Sequence, residues 1–189
     1  MTKPPDATMD TVRHVAIQEY LDRIKRSSHT AINLGCGDHL REGYINCDWF
    51  NPNAEIQVDI RKISARIDRA DLIEAHHALE HLSFNDSLAA LEDWFRVLMP
   101  GGYLVISMPD FEACLELFLR SSEAERWNNA IKMIYGSQEH EGMFHKTAFT
   151  PDRLRVLLAN SGIECRLLAR GYPKRPTPSF LYVGQKRAL

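Results

Sequence analysis

The run INLGCGD, residues 32–38, constrains this chain most. A short apolar stretch ends in Gly35-Cys36-Gly37, and a strand that runs into Gly-x-Gly turns sharply and brings its backbone near a ligand with no β-carbon in the way. The same run limits what that ligand is. Only six residues, Asp38 to Gly43, precede the apparent second strand YINCDWF, whereas a crossover helix takes about a dozen or more. A diphosphate is normally seated on that helix's N-terminus, so a ligand with a ribose but no phosphate fits better. Asp48 closes the second run thirteen residues after Gly35, where a carboxylate accepts from both ribose hydroxyls. Asp59 closes a third run, EIQVDI, in position to accept from an adenine amino group. Either aspartate alone equally well caps a strand end or a turn. Their recurrence at successive strand ends favours the ligand, because open α/β sheets bind at their carboxyl edge.

The rest of the chain supplies the sheet for this edge. ADLIEAH is a fourth strand-like run. Residues 85–98 place Leu88, Leu91, Trp94, Phe95 and Leu98 on one helical face, and Pro100, Gly101 and Gly102 close that helix before a fifth strand, YLVISMP. Strand, helix, strand is the pattern of a parallel sheet. Ahead of it, Val12, Val15, Ala16, Tyr20 and Ile24 recur at near-helical spacing. Behind it, residues 111–135 read as helical, GSQEHEGMFHKTAF as a loop, and Thr150-Pro151 as a capped helix start that runs to Gly162. IECRLLA and SFLYVGQK, separated by the proline-rich YPKRPTP, predict an antiparallel pair at the sheet edge. The expected fold is α/β, a single domain over 1–189: an N-terminal helix (1–28), a ligand-binding half (29–110), and a second half of helices, loop and hairpin (111–189).

Composition narrows the partners. The 189 residues, 44% hydrophobic and 25% charged, suit one soluble domain. A net charge of -2 provides no global basic field, which disfavours nucleic acid, and the late basic cluster Arg166, Arg170, Lys174 and Arg175 reads as a solvated face. Cys36, Cys47, Cys114 and Cys165 form no CxxC pair, so reduced thiols are expected. No apolar run approaches the ~20 residues of a membrane helix, and the first ten residues lack a signal-peptide core. The cytoplasm is the expected compartment.

The ordered segments NLGCG, NCD, QVD, HHALEHL and LMPGGYLVISMPD resemble the class I S-adenosylmethionine-dependent methyltransferases, in particular small bacterial members with NLGCG and H-x-L-E-H-L segments. GMFHKTAFTPDRLRVLLANSGI resembles the closing region of that family. The resemblance implies a Rossmann-like seven-stranded sheet with its last strand antiparallel, and S-adenosyl-L-methionine as cofactor. By position it places Asn33 and Gly35, Cys36 and Gly37 at the methionine part, Asp48 at the ribose, Asp59 at the adenine, and Ala75, His76 and His77 at the sulfonium. Two positions depart from the family. Asn33 stands where many members carry an acidic residue beside the cofactor's ammonium, and His39 stands in place of a third glycine. The acceptor implied by the family's company in glycan pathways is a small molecule or saccharide.

The histidines carry the remaining chemistry. Sulfonium methyl transfer needs alignment and exclusion of water more than catalytic groups. Where a base helps, histidine titrates in the right range, which selects His145, in the loop after the fifth strand, and His77. Tyr135, Gln138 and His140 are candidate acceptor contacts. A competing motif overlaps. His77, Glu80 and His81 read H-x-x-E-H, the order of a zinc metallohydrolase helix, with Glu139, His140 and Glu141 the one nearby cluster for a third ligand. The strand directly before the motif argues against it, and no metal is expected. A non-catalytic scaffold of the same fold is the other alternative: Asn33 and the short crossover favour it, and retention of Gly35, Gly37 and Asp48 together opposes it.

Overall fold

The computed structural model describes residues 7–172 and 178–188. Its seven strands form one sheet in the order β3-β2-β1-β4-β5-β7-β6. β1 (Ala31–Leu34), β2 (Ile45–Asp48), β3 (Ile56–Gln57), β4 (Ala70–His76) and β5 (Leu98–Pro109) run parallel. β7 (Ser179–Lys186) is antiparallel to β5 and to β6 (Ile163–Arg170). The chain moves outward from β1 to β2 and β3, then returns to place β4 on the other side of β1. That reversal opens a crevice at the carboxyl ends of β1 and β4.

The final antiparallel pair lies at one edge of the sheet, as expected. β7 lies between β5 and β6, which leaves Ser179–Gly184 buried throughout, and β6, the edge strand on this side, alternates with solvent. The helices are α1 (Ala7–Ser27), α2 (Phe84–Val97), α3 (Phe111–Arg120), α4 (Glu123–Glu125), α5 (Ile131–Tyr135) and α6 (Pro151–Asn160), with α1 on one face of the sheet and α2 and α6 on the other.

On one face Ile32, Leu34, Ile73 and Ile106 pack with Leu91, Trp94 and Val97 of α2 and Leu154 and Leu158 of α6. On the other, Leu72, Val105, Leu181 and Val183 pack against Ile17 and Ile24 of α1, each such side chain contributing ~1.5–3 kcal/mol by leaving water. No helix joins β1 to β2, and α1 helps cover that face instead. The buried stripe of α1 is Ile17, Tyr20, Leu21 and Ile24; the expected Val15 is 52% exposed and Ala16 also faces solvent. Both sets have helical spacing, and packing on the sheet selects between them.

α2 starts at a Ser83 cap and ends at Val97, so Leu98, expected on the helix, is the first residue of β5 and pairs with Ala70. Trp94 Nε1 donates to the Ile60 carbonyl at 2.6 Å, and the Asp93 carboxylate accepts from Ser64 N (2.9 Å) and Oγ (2.6 Å). These bonds fix the 3-10 turn Ile60–Ala65 beneath the sheet edge. The long helix expected over 111–135 is divided. Ser121 ends α3, Ser122 and Glu125 form a reciprocal cap on α4, and a π turn, Arg126–Ala130, leads into α5. Arg166 and Arg170 are spent on Glu164, Asp110 and Glu112, while Lys174 and Arg175 lie outside the described residues. Among the described residues no helix is long and apolar enough to cross a membrane.

Candidate functional site

β1 turns at Gly35 (φ +66°) and Gly37 (φ +48°), a conformation that side chains resist. A β-carbon on Gly35 would also lie 2.8 Å from that of Ala78, the close approach that lets the loop pack on the end of β4. The backbone donors of this loop are spent within the protein. Gly35 and Cys36 both donate to the Cys47 carbonyl, at 2.8 and 3.1 Å, and Gly37 donates to Asp48 Oδ2 at 2.9 Å. No set of free N–H groups is left to cradle a phosphate. Asp48, nearly buried, also accepts from Phe50 N (2.7 Å) and Asn51 N (2.9 Å) through Oδ1. Its carboxylate latches the glycine loop to the turn after β2, leaving about one of its four lone-pair positions for a ligand. The Cys36 thiol is pushed up to about 11, by burial first and Asp48 next, and is no nucleophile.

Asp59 caps the 3-10 turn by accepting from Arg61 N at 2.9 Å. The Arg61 guanidinium grips both its oxygens (2.9, 2.9 and 2.6 Å), and these hydrogen bonds hold the carboxyl below its usual range.

Below the loop, on the α1 face, a polar layer crosses the sheet. Asn33 Nδ2 donates to the His39 carbonyl and to Asn46 Oδ1, both at 2.8 Å, so what Asn33 offers a ligand is its oxygen. Directly opposite Asn33 in the β1–β4 register stands Glu74, 5% exposed. Glu74 pairs with Arg41 and accepts from the Tyr44 hydroxyl at 2.6 Å; His76 Nε2 lies 3.0 Å from it, and His76 Nδ1 lies 2.7 Å from Ser107 Oγ. Burial pushes the Glu74 carboxyl up, but His76, Tyr44 and Arg41 together outweigh it and hold it below its ordinary value. Glu74 places at the Asn33 level the negative charge that Asn33 lacks, and the sequence reading missed it. The signal was a glutamate in the middle of the strand run ADLIEAH, between Ile73 and Ala75. Ala75 is buried in the opposite face of the sheet and adds only backbone here.

The other end of the crevice is built from histidines. His77 follows β4 with φ +52°, its N–H donating to the Ser107 carbonyl at 2.8 Å. Its Nδ1 lies 3.0 Å from Glu80 Oε1, and its Nε2 is buried with no partner among the described residues. Only Leu79–His81 is helical, a single 3-10 turn, so His77 and His81 do not share the helix face that a zinc-hydrolase motif requires. Glu80 is 2% exposed, and its Oε2 too has no partner among the described residues. Its main-chain carbonyl accepts from Lys146 N (2.8 Å) and Thr147 N (3.2 Å), which pulls the segment bearing His145 against it. The His145 and His81 rings meet edge-on, centroids 4.9 Å apart. His145 Nδ1 donates to the Met133 carbonyl (2.9 Å) and His81 Nδ1 to that of Phe144 (3.2 Å). The His145 pKa is lowered, chiefly by burial.

One open cleft of ≈ 1800 Å³ runs from Gly35–Gly37, Asp48 and Asp59 past Glu74 to His77, His81 and His140. His140 rests against Phe50, ring centroids 5.8 Å apart, whereas Tyr135 and Gln138 are exposed and do not line the cleft. Tyr135 contributes its carbonyl, which accepts from His145 N at 3.0 Å. Nine carboxylates and four Lys or Arg side chains line the cleft, a balance that suits a cationic ligand and opposes a polyphosphate.

The switch-point crevice, with β7 antiparallel, is the Rossmann-like architecture of class I methyltransferases. A family model for the methyltransferase domain matches residues 10–168, and the chain belongs to that family, the S-adenosylmethionine-dependent methyltransferases. Solved structures share the fold at low identity. A SAM-dependent methyltransferase from Methanosarcina mazei matches with TM-score 0.59 and 15% identity over 85% of this chain and 93% of its own. The N-methyltransferase NodS from Bradyrhizobium japonicum matches with TM-score 0.59 and 16% identity over 96% and 98%. The 1,6-didemethyltoxoflavin-N1-methyltransferase of Burkholderia thailandensis, solved with S-adenosylhomocysteine, matches with TM-score 0.56 and 15% identity over 99% and 93%. No curated protein matches the chain. The crevice fits the family's cofactor: it is acidic, has no phosphate cradle, and lies open where Gly37 has no neighbour within 4 Å of a β-carbon position.

Proposed function

We propose that this methyltransferase moves a methyl group, by in-line displacement, to a small-molecule or saccharide-type acceptor that enters beside the histidine cluster. One observation carries the reading: a single cleft joins the glycine-loop edge to His81, His140 and the loop that bears His145. S-adenosylmethionine, when bound, supplies an electrophilic methyl group on a sulfonium. The chain's own residues do the rest. The Asn33 oxygen, the Gly35-Cys36-Gly37 backbone and the Glu74 charge receive the methionine end. Asp48 takes a ribose hydroxyl with its remaining lone pair, Asp59 the adenine amino group, and the turn over Ala75, His76 and His77 borders the sulfonium. Trp49 and Phe50, 60% and 61% exposed at the rim, cover the ligand and exclude water.

For proton transfer, burial keeps the His145 imidazole neutral and its anchored Nδ1–H leaves Nε2 free, the state that a base requires. His77, with Nε2 sealed from solvent and Nδ1 on Glu80, positions Glu80 rather than touching the acceptor. His140 meets the acceptor more directly than Tyr135 or Gln138. Four free cysteines, three of them buried, suit a reducing compartment, and we place the enzyme in the cytoplasm.

Calorimetric titration with S-adenosylmethionine and S-adenosylhomocysteine tests the site. The expected result is one site per chain in the micromolar range. Absence of binding overturns the assignment of the crevice.

A further inference from the structure

We infer that Glu80, His81 and His145 form a binding site for a divalent first-row transition cation at the acceptor end of the cleft. One nitrogen or oxygen from each residue lies within 4.8 Å of the others. Tetrahedral ligands about 2.1 Å from a shared ion stand roughly 3.4 Å apart, so side-chain movements of about an ångström complete the site.

Three further observations point to an ion. First, both histidines spend Nδ1–H on backbone carbonyls, Phe144 for His81 and Met133 for His145, which fixes the tautomer with Nε2 as the free lone pair. This outer hydrogen bond is the one that metal-ligating histidines characteristically make. Second, Glu80 is 2% exposed with Oε1 held by His77 and Oε2 unpartnered among the described residues. A buried carboxylate oxygen without a donor is costly, and a cation supplies what it lacks. Third, the backbone holds the ligands in register: Glu80 O accepts from Lys146 and Thr147, and Phe144 bridges Gly136, which place His145 against Glu80 although 64 residues separate His81 from His145.

Two imidazoles and a carboxylate favour Zn²⁺, Co²⁺, Mn²⁺ or Fe²⁺ over Mg²⁺, which prefers oxygen ligands. Three protein ligands leave a position open, and His81, which lines the cleft, turns it toward the acceptor. The inference rests on the methyl-transfer reading for its use: a cation there binds an acceptor hydroxyl and acidifies it, the proton passing to water. His145 then acts through the same Nε2 as a ligand instead of a base.

The test is titration of metal-stripped full-length protein with Co²⁺, followed by visible absorption and calorimetry. One Co²⁺ per chain is expected, weakened at least tenfold in both His81→Ala and His145→Ala and unchanged in His29→Ala. S-adenosylhomocysteine affinity on each variant reports whether it is folded; if the histidine variants lose it, the near-isosteric Glu80→Gln decides, with at least tenfold weaker Co²⁺ binding expected. Absence of Co²⁺ binding, parental affinity in the deciding variants, or tighter binding of Mg²⁺ than of Co²⁺ overturns the site. A parent that binds Co²⁺ but not S-adenosylhomocysteine refutes the methyl-transfer reading and leaves the cation site standing.

Discussion

The two ends of the crevice are satisfied to different degrees. At the glycine-loop end, three successive N–H groups are bonded inside the protein, and one carboxylate, Asp48, holds three backbone donors. At the histidine end, two buried side-chain atoms, His77 Nε2 and Glu80 Oε2, lack partners among the described residues. Positive φ at His77, Gly136 and Gln138 marks the segments that carry this end. Buried polar atoms are costly to leave unmatched, so the first end is complete before a ligand arrives and the second is arranged around something still to be added. The first should therefore be stiff and answer mutations through stability and cofactor affinity together. The second should answer through its ligands alone.

The largest expected effect tests the first half of that contrast. Asp48→Ala frees three backbone donors at once and should cost about 3 kcal/mol of stability and more than tenfold in S-adenosylhomocysteine affinity, read by urea unfolding and calorimetry. Cofactor affinity that stays at the parental level would remove Asp48 from the site and leave it only the latch role. Next in size is Gly136→Ala. A β-carbon there would overlap the Met143 carbonyl oxygen, and φ is +81°, so the bridge that seats His145 must open at a cost of about 2 kcal/mol. S-adenosylhomocysteine affinity should hold within about threefold. A cofactor loss that matches the stability loss would show that the two ends are one mechanical unit and break the comparison.

How much of this was legible before the structure follows from how local each feature is. The glycine turn, the absent first crossover helix, Asp48 at the end of β2 and Asp59 two residues beyond β3 all depend on neighbours a few residues away, and counting along the chain finds them. Glu74 depends on the β1–β4 register that sets it beside Asn33, 41 residues away, and register is a tertiary fact. The meeting of His81 with His145 depends on loop backbone bonding to Glu80, so the H-x-x-E-H string suggested a helix that His77 does not join. The stripe on α1 and the inward place of β7 were decided by which face had a partner, which periodicity alone leaves open.

A smaller effect, with a pH signature, separates the two ends further. The Glu74 carboxyl lies lower in the folded chain than in the unfolded one, so its contribution is fully present above the unfolded value of about 4.3 and is lost as pH falls through the folded one. Glu74→Gln should therefore cost about 1.5 kcal/mol at pH 7, with the gap to the parent narrowing below about pH 4. Thermal unfolding of both proteins from pH 7 to 3 measures this. A gap that widens with acid would mean that Glu74 is not the ionised partner of Arg41, Tyr44 and His76.

The smallest expected change is the sharpest probe of the adenine assignment. Arg61 is 43% exposed on its side chain, so its pair with Asp59 is screened, and Arg61→Ala should cost less than about 1 kcal/mol. Its effect on the ligand has a definite sign. The Arg61 backbone and guanidinium fill the accepting positions on both Asp59 oxygens, so an adenine amino group must compete with the arginine for them. Removing the guanidinium ends that competition and should tighten S-adenosylhomocysteine about threefold, close to 0.7 kcal/mol, whereas Asp59→Ala should weaken it. If Arg61→Ala weakens the ligand instead, the arginine itself makes the contact, Asp59 serves to hold it there, and the adenine end of the crevice joins the histidine end in owing its recognition to a side chain the sequence pattern did not single out.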